Sequence, residues 1–313
     1  MKTETNTRPE ILSFEDFMIA FRYNLNLNFP ELKKQYSFEE QMITKYDREL
    51  HGIVLRDSNN KIAPVFYYED LYESYRKGAS IQECIGQIVD YLHRHKLPDE
   101  NVHRKLVNYG EAKKLLIVKL LNYRNNRKFL KVVPYKRFGD MAIVAQVYFS
   151  NENYGSGAVT VDKELAKVWD VGIEEIFEQA FRNMNGYELK INNLLDFANE
   201  NAKEKYKAGP ETYVLTYNTT FNGAVAILRT EELLKFAEEK QSDFFVLPVS
   251  IGEMLLIEYK DDISYDFLSD MLYMINKDHP DKSNVLSEQV FLLERNKREL
   301  TYLKDGQKMY IYS

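Results

Sequence analysis

The sequence predicts an α+β protein with largely antiparallel sheets and packed helices. Three observations carry that reading. Helical and strand-like patterns follow one another in mixed order, without the strict alternation that a parallel sheet needs. Short apolar or alternating runs come in pairs separated by a few turn residues, as in hairpins. The 313 residues, 44% hydrophobic and 29% charged, have the composition of a packed chain, long enough for one large domain or two lobes.

Taken in order, the first ten residues are polar and lack a pattern. "SFEDFMIAFRYNL" then spaces Phe14, Phe17, Met18, Phe21 and Leu25 by three and four, with Ser13 as N-cap, which predicts an amphipathic helix. "HGIVLRDSNNKIAPVFYY" reads as two short strands around the turn "DSNN". In "SIQECIGQIVDYLHRHKLP", Ser80 and Glu83 form a capping box, and Ile81, Cys84, Ile85, Ile88 and Leu92 line one helix face. Cys84 in that apolar stripe is expected to be a packed residue. "MAIVAQVYFSNENYGSGAVTV" predicts strand, turn and strand, and "DKELAKVWDVGIEEIFEQAFRNM" one or two helices.

"TYVLTYNTTFNGAVAIL" again reads as strand, turn and strand, followed by the helix "TEELLKFAEEK" capped by Thr230. The tripeptide "GAV" opens the second strand of both hairpins, at 157–159 and 223–225, so a repeated hairpin-helix unit is one expectation and convergence the other. "SDFFVLPVSIGEMLLIEY" gives two buried strands joined near Gly252. The helix "SYDFLSDMLYMIN" follows, with Met271 and Met274 expected to fill its core, and then a closing strand pair around "NKRE". "EKYKAGPETY" carries Gly209 and Pro210 and is the best linker candidate. The expected division is an N-terminal lobe over 11–205 and a C-terminal α+β lobe over 206–313, which can also form one compact domain.

Net charge is −6, so bulk electrostatics disfavour nucleic acid and anionic membranes, and any anion site must be local. No signal peptide or membrane helix is read from the sequence, which points to the cytoplasm and to no membrane partner. The single cysteine allows neither an internal disulfide nor a thiolate metal cage. The "NTT" at 218–220 is then read as a polar turn.

The phosphate loop, the dinucleotide fingerprint, the nucleophile elbow and the zincin helix signature are all missing, and "GSG" at 155–157 makes a turn. His93, His95 and His103 lack a partner acid or thiol at metal-ligand spacing. Asp266 and Asp270, one turn apart, have the spacing to share a divalent cation, but with Asp261 and Asp262 they read first as an acidic helix start, and "DHPD" at 278–281 reads as a surface loop. No cofactor and no metal site is expected. The remaining constellation is basic. Lys113, Lys114, Lys119, Arg124, Arg127, Lys128, Lys131, Lys136 and Arg137 stand against the single acid Glu111, with Tyr123, Phe129, Tyr135 and Phe138 interleaved. Cations for phosphates and rings for bases are what a nucleic-acid groove requires. The apolar positions among them equally suit a core segment with a solvated rim. The candidate binding residues are Tyr123, Arg124, Arg127, Lys128, Tyr135, Lys136 and Arg137.

"KLLNYRNNRKFLKVVPYKRFGDMAIV" resembles a block of the bacterial domain-of-unknown-function 5688 family, known from Firmicutes. "GIVLRDSNNKIAPVFYYEDLYESYRKG", "YVLTYNTTFNGAVAILRTEELLKFAEEKQSDFFVLPVSIGEMLLI" and "VLSEQVFLLERNKREL" resemble further blocks in the same order. The last third is also similar, more remotely, to the uncharacterised family 1444. The resemblance implies no activity, substrate or cofactor. It implies that relatives often carry histidine where this chain has Tyr135 and Gly252, neither of which shuttles protons near neutral pH. The first functional reading is therefore a non-enzymatic interaction or accessory protein with a protein partner. The second is a nucleic-acid-binding protein using residues 113–137. The third is an enzyme of unknown class, a metal-dependent hydrolase being the form weighed.

Overall fold

The computed structural model describes residues 11–45, 48–57, 63–94, 100–151, 155–197, 209–217, 222–279 and 282–311. It is an α+β architecture with antiparallel pairing, and it divides into two compact units. The first holds the described residues up to Asn108 together with those of Phe149–Gly157; the second holds Tyr109–Tyr148 and Ala158 onward. Residues 204–208 of the linker expected at 204–213 lie outside the described residues. The strands on its two sides, β8 (Leu189–Asn193) and β9 (Thr212–Tyr217), pair in one sheet of the second unit. No helix among the described residues is long and apolar enough to cross a membrane.

In the first unit, α1 (Phe14–Asn28) starts where Ser13 accepts from the Asp16 amide, and its i, i+4 stripe of Phe17, Phe21 and Leu25 is buried. α2 (Pro30–Gln35) leads into β1 (Tyr36–Lys45), which pairs along its length with β2 (Arg48–Asp57), and β2 pairs with β3 (Val65–Tyr67). The "SNN" of the turn between β2 and β3 lies outside the described residues. α3 (Tyr68–Arg76), α4 (Ile81–Arg94) and α5 (Glu100–Val107) complete the unit. The capping box of α4 forms as read: the Ser80 amide donates to Glu83 Oε2 at 2.7 Å and the Glu83 amide to Ser80 Oγ at 3.2 Å. Cys84 joins the core with Phe17, Phe21, Ile53, Ile85 and Ile88, and burial pushes its thiol pKa up. Arg22 donates to both oxygens of Glu40, which also accepts from the Tyr68 hydroxyl, tying α1 to β1 and α3. Burial opposes the Glu40 carboxylate, but these donors hold its pKa below the ordinary value.

The second unit opens with α6 (Tyr109–Ala112) and β4 (Leu116–Asn122), whose seven residues are all buried. β4 and β5 (Tyr135–Phe138) both pair with β6 (Met141–Asn151), as does β7 (Gly155–Thr160). The predicted helical stretch 162–184 is two helices, α7 (Lys163–Trp169) and α8 (Ile173–Met184), separated at Asp170 with φ 54°. A second sheet runs in the order β14-β13-β12-β10-β11-β9-β8. Its further strands are β10 (Phe244–Leu247), β11 (Met254–Glu258), β12 (Val290–Glu294), β13 (Glu299–Lys304) and β14 (Gln307–Tyr310). The helices accompanying this sheet are α9 (Thr230–Lys240) and α10 (Tyr265–Asp278). Leu268 and Leu272 of α10 pack with Phe245, Leu247, Val290 and Leu292 of the sheet.

Four sequence expectations are corrected here. "GSG" at 155–157, read as a turn, is the start of β7. "GAVAIL" at 223–228 is a buried 3-10 helix, so the second hairpin has one strand and is not the equivalent of β6-β7. The cause is local. Asn222 takes a left-handed φ of 56°, and a Cβ on Gly223 would lie 2.1 Å from the Gly252 carbonyl oxygen, so the chain presses on a neighbouring backbone where a ladder would need spacing. Thr230 is the first helical residue of α9; Arg229 occupies the cap and pairs with Glu232. Of the two α10 methionines, Met271 packs on the core, whereas Met274 is 50% exposed.

Candidate functional site

The basic segment is built on the end of β4. Asn122 is buried, its side-chain oxygen accepts from the Asn125 amide at 2.9 Å, and its carbonyl accepts from Asn126 Nδ2 at 2.7 Å. Asn126 is only 3% exposed. These bonds wind residues 124–126 into one 3-10 turn, and a second follows at 129–131, where Leu130 and Val133 sink into the core. The far side is held by the Lys163 amide donating to the Val132 carbonyl at 3.0 Å and Lys163 Nζ to the Lys131 carbonyl at 2.7 Å. With Leu130 and Val133 committed inward, Arg124, Arg127 and Lys128 stand exposed, as does Val132. Neither arginine has a carboxylate partner among the described residues.

The chain returns along β5, where strand alternation sorts the remaining candidates. Tyr135 and Arg137 share a face with Tyr123: the Arg137 guanidinium carbon lies 3.6 Å from the centre of the Tyr123 ring, and the two tyrosine rings are 5.7 Å apart. Arg137 also donates to the Gly139 carbonyl at 2.6 Å. The hydrogen bond between the tyrosines lowers the Tyr123 pKa, with Arg137 adding to the effect, and raises that of Tyr135. Lys136 points the other way, to Glu174 at 2.5 Å and to the face of Phe177 at 5.3 Å. Phe138 is buried, stacked on Phe291. The structure thus brings Tyr123, Tyr135 and Arg137 together, places Arg124, Arg127 and Lys128 on the neighbouring turns, and commits Lys136 elsewhere.

The turn after β5 anchors this arrangement. The Asp140 carbonyl accepts from the Tyr123 amide, while its carboxylate accepts from Ser287 Oγ at 2.7 Å and from the Glu288 amide at 3.1 Å. Burial nevertheless pushes the Asp140 pKa up. Beside these groups the sequence reading missed a cavity of about 560 Å³, lined by Asn125 of the basic turn, Tyr265, Tyr273 and Asn276 of α10, and Gln289 before β12. Its lining is scattered over 180 residues of chain from Asn125 to Asp305, so no local signal marks it beyond the asparagine-rich "NYRNNR".

Elsewhere, Asp261, Asp262, Asp266 and Asp270 are exposed around the start of α10. His95, Pro280 and Asp281 lie outside the described residues, among which no three His, Cys, Asp or Glu side chains gather to hold a metal ion.

A family model described as Family of unknown function (DUF5688) matches residues 14–295. The chain belongs to this family. The match takes in most of both units and the whole basic segment, and ends before β13. No curated protein and no solved structure matches the chain.

Proposed function

We propose that this member of the family is a non-enzymatic binding protein of the cytoplasm of a Firmicutes bacterium, and that its ligand is single-stranded nucleic acid carried on the basic turns of the second unit. One observation supports this above the others: Arg124 and Arg127 are held exposed, without carboxylate partners among the described residues, on a turn pinned by the buried amides of Asn122 and Asn126. In a chain of net charge −6 such a pair is a local anion site, and guanidiniums on a fixed frame lose little entropy on binding phosphate. Tyr123 and Tyr135 beside them offer rings to unpaired bases. An exposed irregular turn supplies neither the helix nor the ribbon that enters a duplex groove, which favours single strands.

Fluorescence anisotropy with labelled single-stranded and duplex RNA and DNA, at low and physiological salt, tests the reading. Single strands should bind at micromolar concentration or tighter, less tightly as salt rises, and more tightly than duplexes. Absent or salt-insensitive binding contradicts it.

A further inference from the structure

The cavity beside Asn125 has no place in phosphate binding, and its chemistry is different. Its volume of about 560 Å³ lies within the usual range of small-molecule sites. Tyr265 and Tyr273 supply aromatic walls; Tyr273 is 63% exposed, a ring open to an incoming flat ligand. Asn125 and Gln289 present amides, which pair a donor with an acceptor, and Gln289 Oε1 is buried with no hydrogen-bond partner among the described residues. Glu288 and Asp305 add two carboxylates against the single ammonium of Lys277. An acceptor-rich lining of that charge repels a phosphate and accepts N–H groups from a neutral ring.

We infer that this cavity takes the base of a nucleotide bearing an exocyclic amine, adenine, cytosine or guanine, with the attached phosphate left outside on Arg124 and Arg127. The inference rests on the nucleic-acid reading and names the base that reading leaves open. Amide side chains match the paired amino donor and ring acceptor of adenine, and carboxylates accept from the amine of cytosine. Guanine likewise brings an amine, beside a ring N–H, to these carboxylates, whereas uracil has no amine to donate. Asn125 lies between Arg124 and Arg127 in the same turn, so one short segment would contact base and phosphate together.

The test uses the full chain with RNA homopolymers of equal length and with the free nucleosides adenosine, cytidine, guanosine and uridine. Adenine, cytosine or guanine polymers should bind at least tenfold tighter than the uracil polymer. Tyr273→Ala and Asn125→Ala should each lower that binding at least fivefold and erase the preference, leaving the salt slope unchanged. Adenosine, cytidine or guanosine should bind weakly and without salt dependence, and Tyr273→Ala should abolish this. Salt-dependent binding with no base preference, or a preference that survives both variants, overturns the inference and leaves the nucleic-acid reading standing. Nucleoside binding lost in Tyr273→Ala sustains the cavity site even where Arg124→Ala/Arg127→Ala leaves polymer binding unchanged, in which case the phosphate reading alone fails. Binding of neither polymers nor nucleosides overturns both.

Discussion

The two halves of the basic segment look alike as sequence, "YRNNRK" and "YKR", and differ in what surrounds their cations. In the first half, Asn122 and Asn126 bond to the turn's own backbone, and the arginines project from it without carboxylate partners among the described residues. In the second, strand geometry aims each cation at something: Lys136 at Glu174 and the Phe177 ring, Arg137 at the Tyr123 ring and the Gly139 carbonyl. A positive charge is available to a ligand only where the fold leaves it unneutralised. Proximity in sequence does not decide that.

Removing the first half's charge should have the largest effect. Arg124→Ala/Arg127→Ala is expected to weaken single-strand binding at least tenfold at physiological salt and to reduce the slope of log affinity against log salt by about 1.4, two phosphate contacts' worth. Anisotropy titrations over a salt series measure both. Loosening the frame comes next. Asn126→Ala deletes the buried amide that holds the Asn122 carbonyl, and should cost about 1–2 kcal/mol in urea denaturation while also weakening binding, because the arginines lose their fixed support.

Asp140 gives a pH-dependent way to probe the same anchor. Its folded pKa is raised by burial, so between the ordinary carboxylate value and that raised value the folded state binds more protons than the unfolded one. Its contribution to stability is therefore most favourable in acid and declines as pH climbs from about 4. Asp140→Asn removes this dependence. The stability of the wild type minus that of the variant, from denaturation at a series of pH values, should fall as pH rises through that window. A difference that rises instead would mean that Ser287 and Glu288 outweigh burial. The smallest effect belongs to the second half: Lys136→Ala breaks a largely exposed ion pair, and should change stability by less than about 0.5 kcal/mol and strand binding by less than twofold.

How much of this was legible in the sequence follows from how local each feature is. The capping box at Ser80, the buried stripe of α1 and the β6-β7 hairpin rest on residues a few positions apart, and each formed as its pattern predicts, save that "GSG" belongs to β7 and not to the turn. β1 was missed because "YSFEEQMITK" is mostly polar and has only one pairing partner, β2, among the described residues. β14 was missed although its turn is signalled: Asp305 and Gly306 both have positive φ, the Asp-Gly turn of a tight hairpin. "GAVAIL" misled because a short apolar run buried all round carries no periodicity, and its 3-10 winding is imposed by the Gly252 backbone 29 residues away from Gly223. In the candidate site, the sequence marked the cations but not their partners. The neutralising Glu174, the anchoring Ser287 and the cavity wall of α10 are all distant in sequence.

The central claim is that binding belongs to the exposed turn and not to basic charge in general. Salt titrations of a labelled single strand against wild type, Arg124→Ala/Arg127→Ala and Lys136→Ala, run side by side, test it most directly. The account predicts a shallower salt slope and at least tenfold weaker binding for the double variant alone, with Lys136→Ala superimposed on wild type. Losses that scale only with the charge removed, with Lys136→Ala costing about half as much in log affinity as the double variant, would contradict it.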